Sequence, residues 1–374
     1  RDYFPAAGES GPGGLLDRVV GIDVHLDELH AFGWGLHKVS LRAGRDAGGW
    51  SIKVSSDELA GTVESPLAGG RPIVADLDYL HLRPGALHDK GSRLDPNRVP
   101  PARINGKDVT YGGKDFGSLK LVLTRRPQGV HIERLSVDSQ IMKITASGDW
   151  TQGAHGQYSA FEADITSEDI GKTLSRFGYV GTIKDGRGRV QLTAAWSGAP
   201  TDMDVKTLVG SLSLKLSKGR LLDVDPGAGR ILGILSLQAL PRRLTLDFSD
   251  LFEKGFSFDS MKGDFSIRNG NAYTDDLVME GPSARVDVVG RVGLVSQDYD
   301  QTVTVTPHLT SSLPIAGVIA SGVGVGVAIL LFQKIFEDQI DEMTRVRYTI
   351  KGPWKNPVVQ PLKKEAKSGK DGKS

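Results

Sequence analysis

The chain has 374 residues, 46 of them basic and 45 acidic, and no cysteine. A net charge of +1 argues against a nucleic-acid-binding domain, which needs a concentrated basic face. The lack of cysteine excludes a thiol nucleophile, a disulfide framework and a Cys-ligated zinc.

The chain opens on Arg1 without a charged-then-apolar leader, so we expect a processed chain or a piece of a longer one. Its 47 glycines lie between short runs in which apolar and polar residues alternate, the pattern of many strands joined by turns. His25, His30 and His37 sit near Asp23, Asp27 and Glu28, but their spacings of five and seven fit no zinc motif, and a polar strand face is the better reading. Trp50, Ile52 and Val54 share one strand face, as do Leu119, Leu121 and Leu123. A helix is expected over 167–177, with Thr166 or Ser167 as N-cap, Glu168 and Asp169 in its first turn and Gly178 closing it. Gly171-Lys172-Thr173 inside it lacks the earlier glycine of a phosphate loop, where Thr166 stands.

Further along, Val190, Leu192, Ala194 and Trp196 alternate with Gln191, Thr193 and Ala195, and Leu212, Leu214 and Leu216 alternate with Ser213 and Lys215. Asp223 and Asp225 suggest a calcium loop, but Ile234 stands where its last acid is required. A second helix is expected over 226–240, ended by Pro241, followed by a strand with Leu244, Leu246 and Phe248 on one face. Phe265 and Ile267 lead into Asn269-Gly270, the sharpest hairpin signal in the chain, and then come Val286 with Val288 and Val303 with Val305. Segments 117–150 and 263–292 share one layout of strand, turn, strand, turn, strand, and 39–63 is similar. Units of this size predict an elongated sheet that grows by addition. Gly281-Pro282-Ser283-Ala284-Arg285 fails the hydrolase elbow at its last place, and Gly322, Gly324 and Val327 fail the dinucleotide fingerprint at theirs. No catalytic set, metal site or cofactor site is expected.

Residues 309–333 carry no charge, and 314–332 is an apolar stretch about long enough to cross a bilayer of ~30 Å as a helix. It contains Ile315, Val318, Ile319, Val325, Ile329, Leu330, Leu331 and Phe332, and continues amphipathically through Phe336, Ile340 and Met343. A buried capping helix, a membrane-contacting helix and a span are all open, and the first two fit the glycine content better. A last strand is expected at 347–351, then breaks at Gly352-Pro353 and Asn356-Pro357, and a disordered Lys/Ser/Gly tail over 363–374.

Several stretches resemble the C-terminal region of YhdP-like proteins of the AsmA-like family. They are 167–178, with Trp196-Ser197-Gly198-Ala199-Pro200; 219–227; 235–250, in which Leu240-Pro241-Arg242-Arg243-Leu244-Thr245-Leu246-Asp247-Phe248 is the most specific run; Gly255-Phe256-Ser257-Phe258; and Gly352-Pro353-Trp354-Lys355-Asn356-Pro357. The likeness is dense from about Ser167 to Leu362. It implies a mainly β protein, an antiparallel sheet curled into an open apolar groove with a few short helices, standing in the periplasm and held to the inner membrane by an N-terminal anchor outside this chain. It further implies movement of phospholipid between inner and outer membranes. The expected divisions are groove repeats over 1–166, a C-terminal groove region over 167–308, a helical segment over 309–345, a final strand and turn over 346–362, and the tail.

An apolar sheet face must be covered by protein or by ligand. If acyl chains cover it, the lining comprises Val190, Leu192, Leu212, Leu214, Leu216, Leu244, Leu246, Phe248, Phe265, Ile267, Val286, Val288, Val303 and Val305; the competing expectation is that they form a dry core. Expected partners are phospholipid acyl chains and a membrane surface met by the C-terminal helix, not nucleic acid. Two other functions stay open: an outer-membrane assembly factor using a sheet edge, and a carbohydrate-active enzyme, which would need a carboxylate pair on one sheet face that the sequence does not offer.

Overall fold

The computed structural model describes residues 20–31, 34–67, 70–83, 95–222, 256–308 and 345–362. They form two compact units. The first holds β1 (Gly21–Ala31), β2 (Trp34–Arg45), β3 (Gly49–Ser55), β4 (Leu59–Pro66), β5 (Ile73–Leu82), β6 (Ala102–Tyr111), β7 (Lys114–Arg126), β8 (Gly129–Asp138), β9 (Met142–Gly153), β10 (Gly156–Ser167) and the helix α1 (Ile170–Arg176). It also takes most of β11 (Ile183–Ser197) and the start of β12 (Val209–Leu221). The second holds the rest of β12, nearly all of β13 (Phe256–Arg268), and β14 (Asn271–Glu280), β15 (Ala284–Gly293), β16 (Asp298–Pro307), β17 (Val346–Pro353) and β18 (Val358–Pro361).

In the first unit each strand from β1 to β11 pairs with the next in chain order. All these pairs are antiparallel except β5–β6, which is parallel. The all-antiparallel expectation thus fails at one place. A parallel pair needs a crossover to bring the chain back to its starting end; the connection over 83–101 provides it. In the second unit β14 to β18 pair consecutively and antiparallel. Between β13 and β14, Asn269 and Gly270 have φ of 52° and 69°, the pair of positive values that a type I′ turn requires.

The helix is shorter than its sequence suggests. Asp169, not Thr166 or Ser167, is the N-cap, its side chain accepting from the Lys172 N–H at 2.9 Å. Burial pushes the Asp169 carboxyl up, but the hydrogen bonds from the Lys172 backbone and side chain outweigh this and hold it below its usual value. Ser167 instead ends β10, where its hydroxyl meets Thr173 Oγ1 at 2.8 Å and accepts from the Asp169 N–H. Among the described residues no helix is long and apolar enough to cross a membrane. The expected helices over 226–240 and 309–345, and with them Ile315, Val318, Ile319, Val325, Ile329, Leu330, Leu331, Phe332 and Phe336, lie outside the described residues.

Candidate functional site

Directly paired residues in neighbouring strands point to the same face, so the registers determine what each face carries. In the first unit one row runs Ile22, Ala43, Ile52, Val63, Ala75, Ile104, Leu121, Leu135, Ala146, Ala163, Leu192, one residue per strand from β1 to β11. The parallel row two residues away runs Val24, Leu41, Val54, Gly61, Leu77, Gly106, Leu119, Val137, Ile144, Ile165, Val190. Neither contains a polar side chain. Ten steps of about 4.8 Å make each row ~48 Å long, measured along the ladder. The reverse face gives Asp23, Arg42, Lys53, Thr62, Asp76, Asn105, Lys120, Ser136, Thr145, Asp164, Gln191, polar at every strand.

The apolar face is not equally covered along its length. Around β5 it is closed: Ala75, Leu77 and Leu80 pack with Val109, Phe116 and Met142, and Leu119, Val137 and Ile144 of β7, β8 and β9 lie against this cluster. From β7 to β11 both rows are half-buried at every position, and so is Leu212 in β12. This stretch is bordered at each end of its strands. At one border Trp150 and Trp196 are buried; the Trp150 Nε1–H donates to Gln157 Oε1 at 3.2 Å and the Trp196 Nε1–H to the Ala199 carbonyl at 2.9 Å. Between them Ser159 Oγ donates to the Gly198 carbonyl, and Phe161 lies 5.6 Å from Trp196. A 3-10 turn, Pro96–Arg98, lies close to β8 and β9 with Pro96 buried, and the Arg125 guanidinium donates to the Asn97 carbonyl. At the other border stands α1, with Ile170 and Thr173 buried beneath it. Lys114 Nζ donates to the Ser175 carbonyl at 2.6 Å, Arg176 donates to Ser139 Oγ at 3.1 Å, and the Phe116 and Phe177 rings meet edge to face at 5.5 Å.

The second unit presents the same pattern with its face closed. Leu277, Val288, Val303 and Tyr348 form one row and Met279, Val286, Val305 and Val346 another. Val288 is 1% exposed and Val303 0%. Burial pushes the Tyr299 hydroxyl on β16 up to about 12, as a dry environment requires.

Of the residues anticipated as groove lining, Val190, Leu192 and Leu212 thus lie on the half-open face of the first unit. Leu214 is half-buried in the second unit, and Ile267, at the end of β13, is half-buried within the first. Leu216, Phe265, Val286, Val288, Val303 and Val305 are buried. Leu244, Leu246 and Phe248 lie outside the described residues. Sequence reading named the alternation of Leu119 and Leu121 but not their place in a row, and it missed Trp150, Phe116 and Phe177 as border residues. For Trp150 and Phe116 the signal was an aromatic residue near the end of an alternating strand, and for Phe177 an aromatic residue closing a short helix.

The histidines of β1 and β2 show no metal-binding arrangement; among the described residues no group of three ligands could hold an ion. Glu58, 7% exposed, accepts from the His37 backbone N–H at 2.8 Å, lies 2.7 Å from His37 Nδ1 and pairs with Arg83 at 3.1 Å. Burial pushes its carboxyl up, but the His37 hydrogen bonds and the charges of His37 and Arg83 outweigh that and hold it below 4.5. A depressed carboxylate pKa stabilises the fold fully above its ordinary value and loses that contribution as pH falls through the lowered one. The stability difference between wild type and Glu58→Gln is therefore expected to be largest near neutrality and to shrink on acidification below about pH 4, read by denaturant unfolding across pH.

A family model described as YhdP protein matches residues 6–359. The intermembrane phospholipid transporter YhdP of Escherichia coli (strain K12) is 25% identical to this chain over 347 residues, which cover 88% of this chain and 27% of that protein. The chain thus spans about a quarter of the length of the curated relative it matches. No solved structure matches it.

Proposed function

This chain belongs to the YhdP family, and from that premise we propose that the half-open apolar face of β7 to β11 in the first unit carries phospholipid acyl chains in transfer between inner and outer membranes across the periplasm. The observation that carries this reading is the pair of uninterrupted apolar rows, half-buried from Leu119 and Leu121 to Val190 and Leu192. Each CH₂ withdrawn from water gains about 0.8 kcal/mol, so a hydrocarbon tail is a favourable cover for such a face. The rows hold no polar side chain that would fix a lipid at one strand. A tail moving from one strand to the next exchanges equivalent contacts, which favours sliding over capture. The relative's printed name, a phospholipid transporter acting between membranes, supplies the substrate class. Val190, Leu192 and Leu212 are the lipid contacts in this reading, while the closed residues Phe265, Val286, Val288, Val303 and Val305 serve as packed interior.

Photoreactive residues at Ile165 and Leu192 are expected to yield phospholipid adducts in Gram-negative cells, and the same residues at Asp164 and Gln191, one position away on the polar face, are not. Well-expressed protein without adducts at Ile165 and Leu192, or with equal adducts on both faces, would overturn the reading.

A further inference from the structure

The two borders of the half-open face in the first unit differ in chemistry. At the tryptophan border the polar tips are already bonded within the protein: both indole N–H groups and the Ser159 hydroxyl donate to protein acceptors, and both indole rings are buried. The loop beside it exposes Asp202 and Asp204 against one cation, Lys206, and that excess of negative charge disfavours a phosphate. At the helix border the Tyr111 and Phe177 rings are 45% and 46% exposed. Both meet Phe116 edge to face, at 6.3 and 5.5 Å, and Phe116 is buried in the cluster that holds Met142 of β9. Solvated rings are thus continuous with the apolar face. Lys114 opens β7 just after the turn that follows Tyr111, and Arg176 precedes Phe177 at the end of α1; each keeps donors beyond the contacts it makes with Ser175, Ser139 and Asp115. Exposed aromatic rings with cations beside an apolar surface are the arrangement proteins use where hydrocarbon gives way to head groups.

We propose that a phospholipid held on this face directs its head group over the α1 border, with Tyr111 and Phe177 at the level of the glycerol and Lys114 and Arg176 toward the phosphate. The assignment rests on the lipid-carrying reading above and adds which side of the face is polar in use.

The test uses the full chain and phosphatidylcholine vesicles containing a phosphatidylethanolamine with a diazirine either on its head group or at the end of one acyl chain. After illumination, labelled peptides are mapped by mass spectrometry. The head-group probe is expected to label 111–116 and 172–177 more strongly than 150–158 and 196–209. The acyl probe is expected on β9, β10 and β11. Head-group label that is equal at the two borders or favours the tryptophan side, with acyl label still on those strands, overturns this assignment alone. Absence of acyl label from those strands overturns the lipid-carrying reading and the assignment with it. The double variant Tyr111→Ser, Phe177→Ser alters two exposed rings and is expected to lower head-group label at the helix border while sparing acyl label. An unchanged head-group pattern in that variant overturns the role given to the rings.

Discussion

Leu192→Asp is expected to abolish phospholipid carriage while leaving the protein folded. Leu192 is half-buried, at the end of a row that includes Ala146 and Ala163. An ionised carboxylate there can still reach water, so the cost to folding is about 1–2 kcal/mol. A hydrocarbon tail laid over it would strip that water, at about 3 kcal/mol or more, which lowers tail occupancy at this strand by about 100-fold. Because the chain must pass every strand in turn, one such barrier stops transfer along the whole row. Leu192→Met, which keeps the face apolar and nearly the same volume, is expected to behave as wild type. The measurement is phospholipid recovered with the purified protein by mass spectrometry, alongside its unfolding midpoint. Undiminished lipid in a folded Leu192→Asp protein would show that this face does not carry it.

Val303→Asp is expected to do the opposite: to unfold the second unit. Val303 is 0% exposed and lies between Val288 and Tyr348, themselves buried. An aspartate at this position has neither water nor a cation among its row neighbours, and the cost is about 4 kcal/mol or more, comparable with the stability of a whole domain. Leu277→Ala, in the same row, removes buried volume without adding charge and is expected to cost about 2–5 kcal/mol. Loss of amide protection in β14, β15 and β16 by hydrogen exchange reads both. Full protection in Val303→Asp would mean that this face opens to solvent as readily as that of β7 to β11.

Val190 and Val303 come from runs that read alike, each alternating with polar partners, yet one is half-open and the other sealed. Alternation reports which side of a strand is apolar; how far that side is covered depends on what the rest of the chain packs against it. The Asn269-Gly270 turn was legible because the backbone demand is local and few residues satisfy it. The rows were not, since each depends on ten successive registers, with bulges between Ala60 and Gly61 and between Val122 and Leu123 shifting the count. The parallel β5–β6 pair was hidden for a related reason: Pro84 and Gly85 open the connection as they would open any loop, and nothing local distinguishes a return crossover from a hairpin. Glu58 was missed because its partner His37 lies 21 residues away on another strand. The α1 boundary slipped because Ser167 is as good a cap by composition as Asp169, and only the end of β10 decides between them.

In the first unit every strand from β2 to β10 bonds to its predecessor and its successor in the chain. Such a ladder has short loops to close at nearly every step, so assembly can begin at any hairpin and spread outward, or follow the ribosome from the first hairpin onward. The step between β5 and β6 differs, since the 19 residues from 83 to 101 make a longer loop to close before those strands can pair. Kinetic intermediates of this unit should therefore break at that junction, with β1 to β5 and β6 to β11 as the pieces that form early.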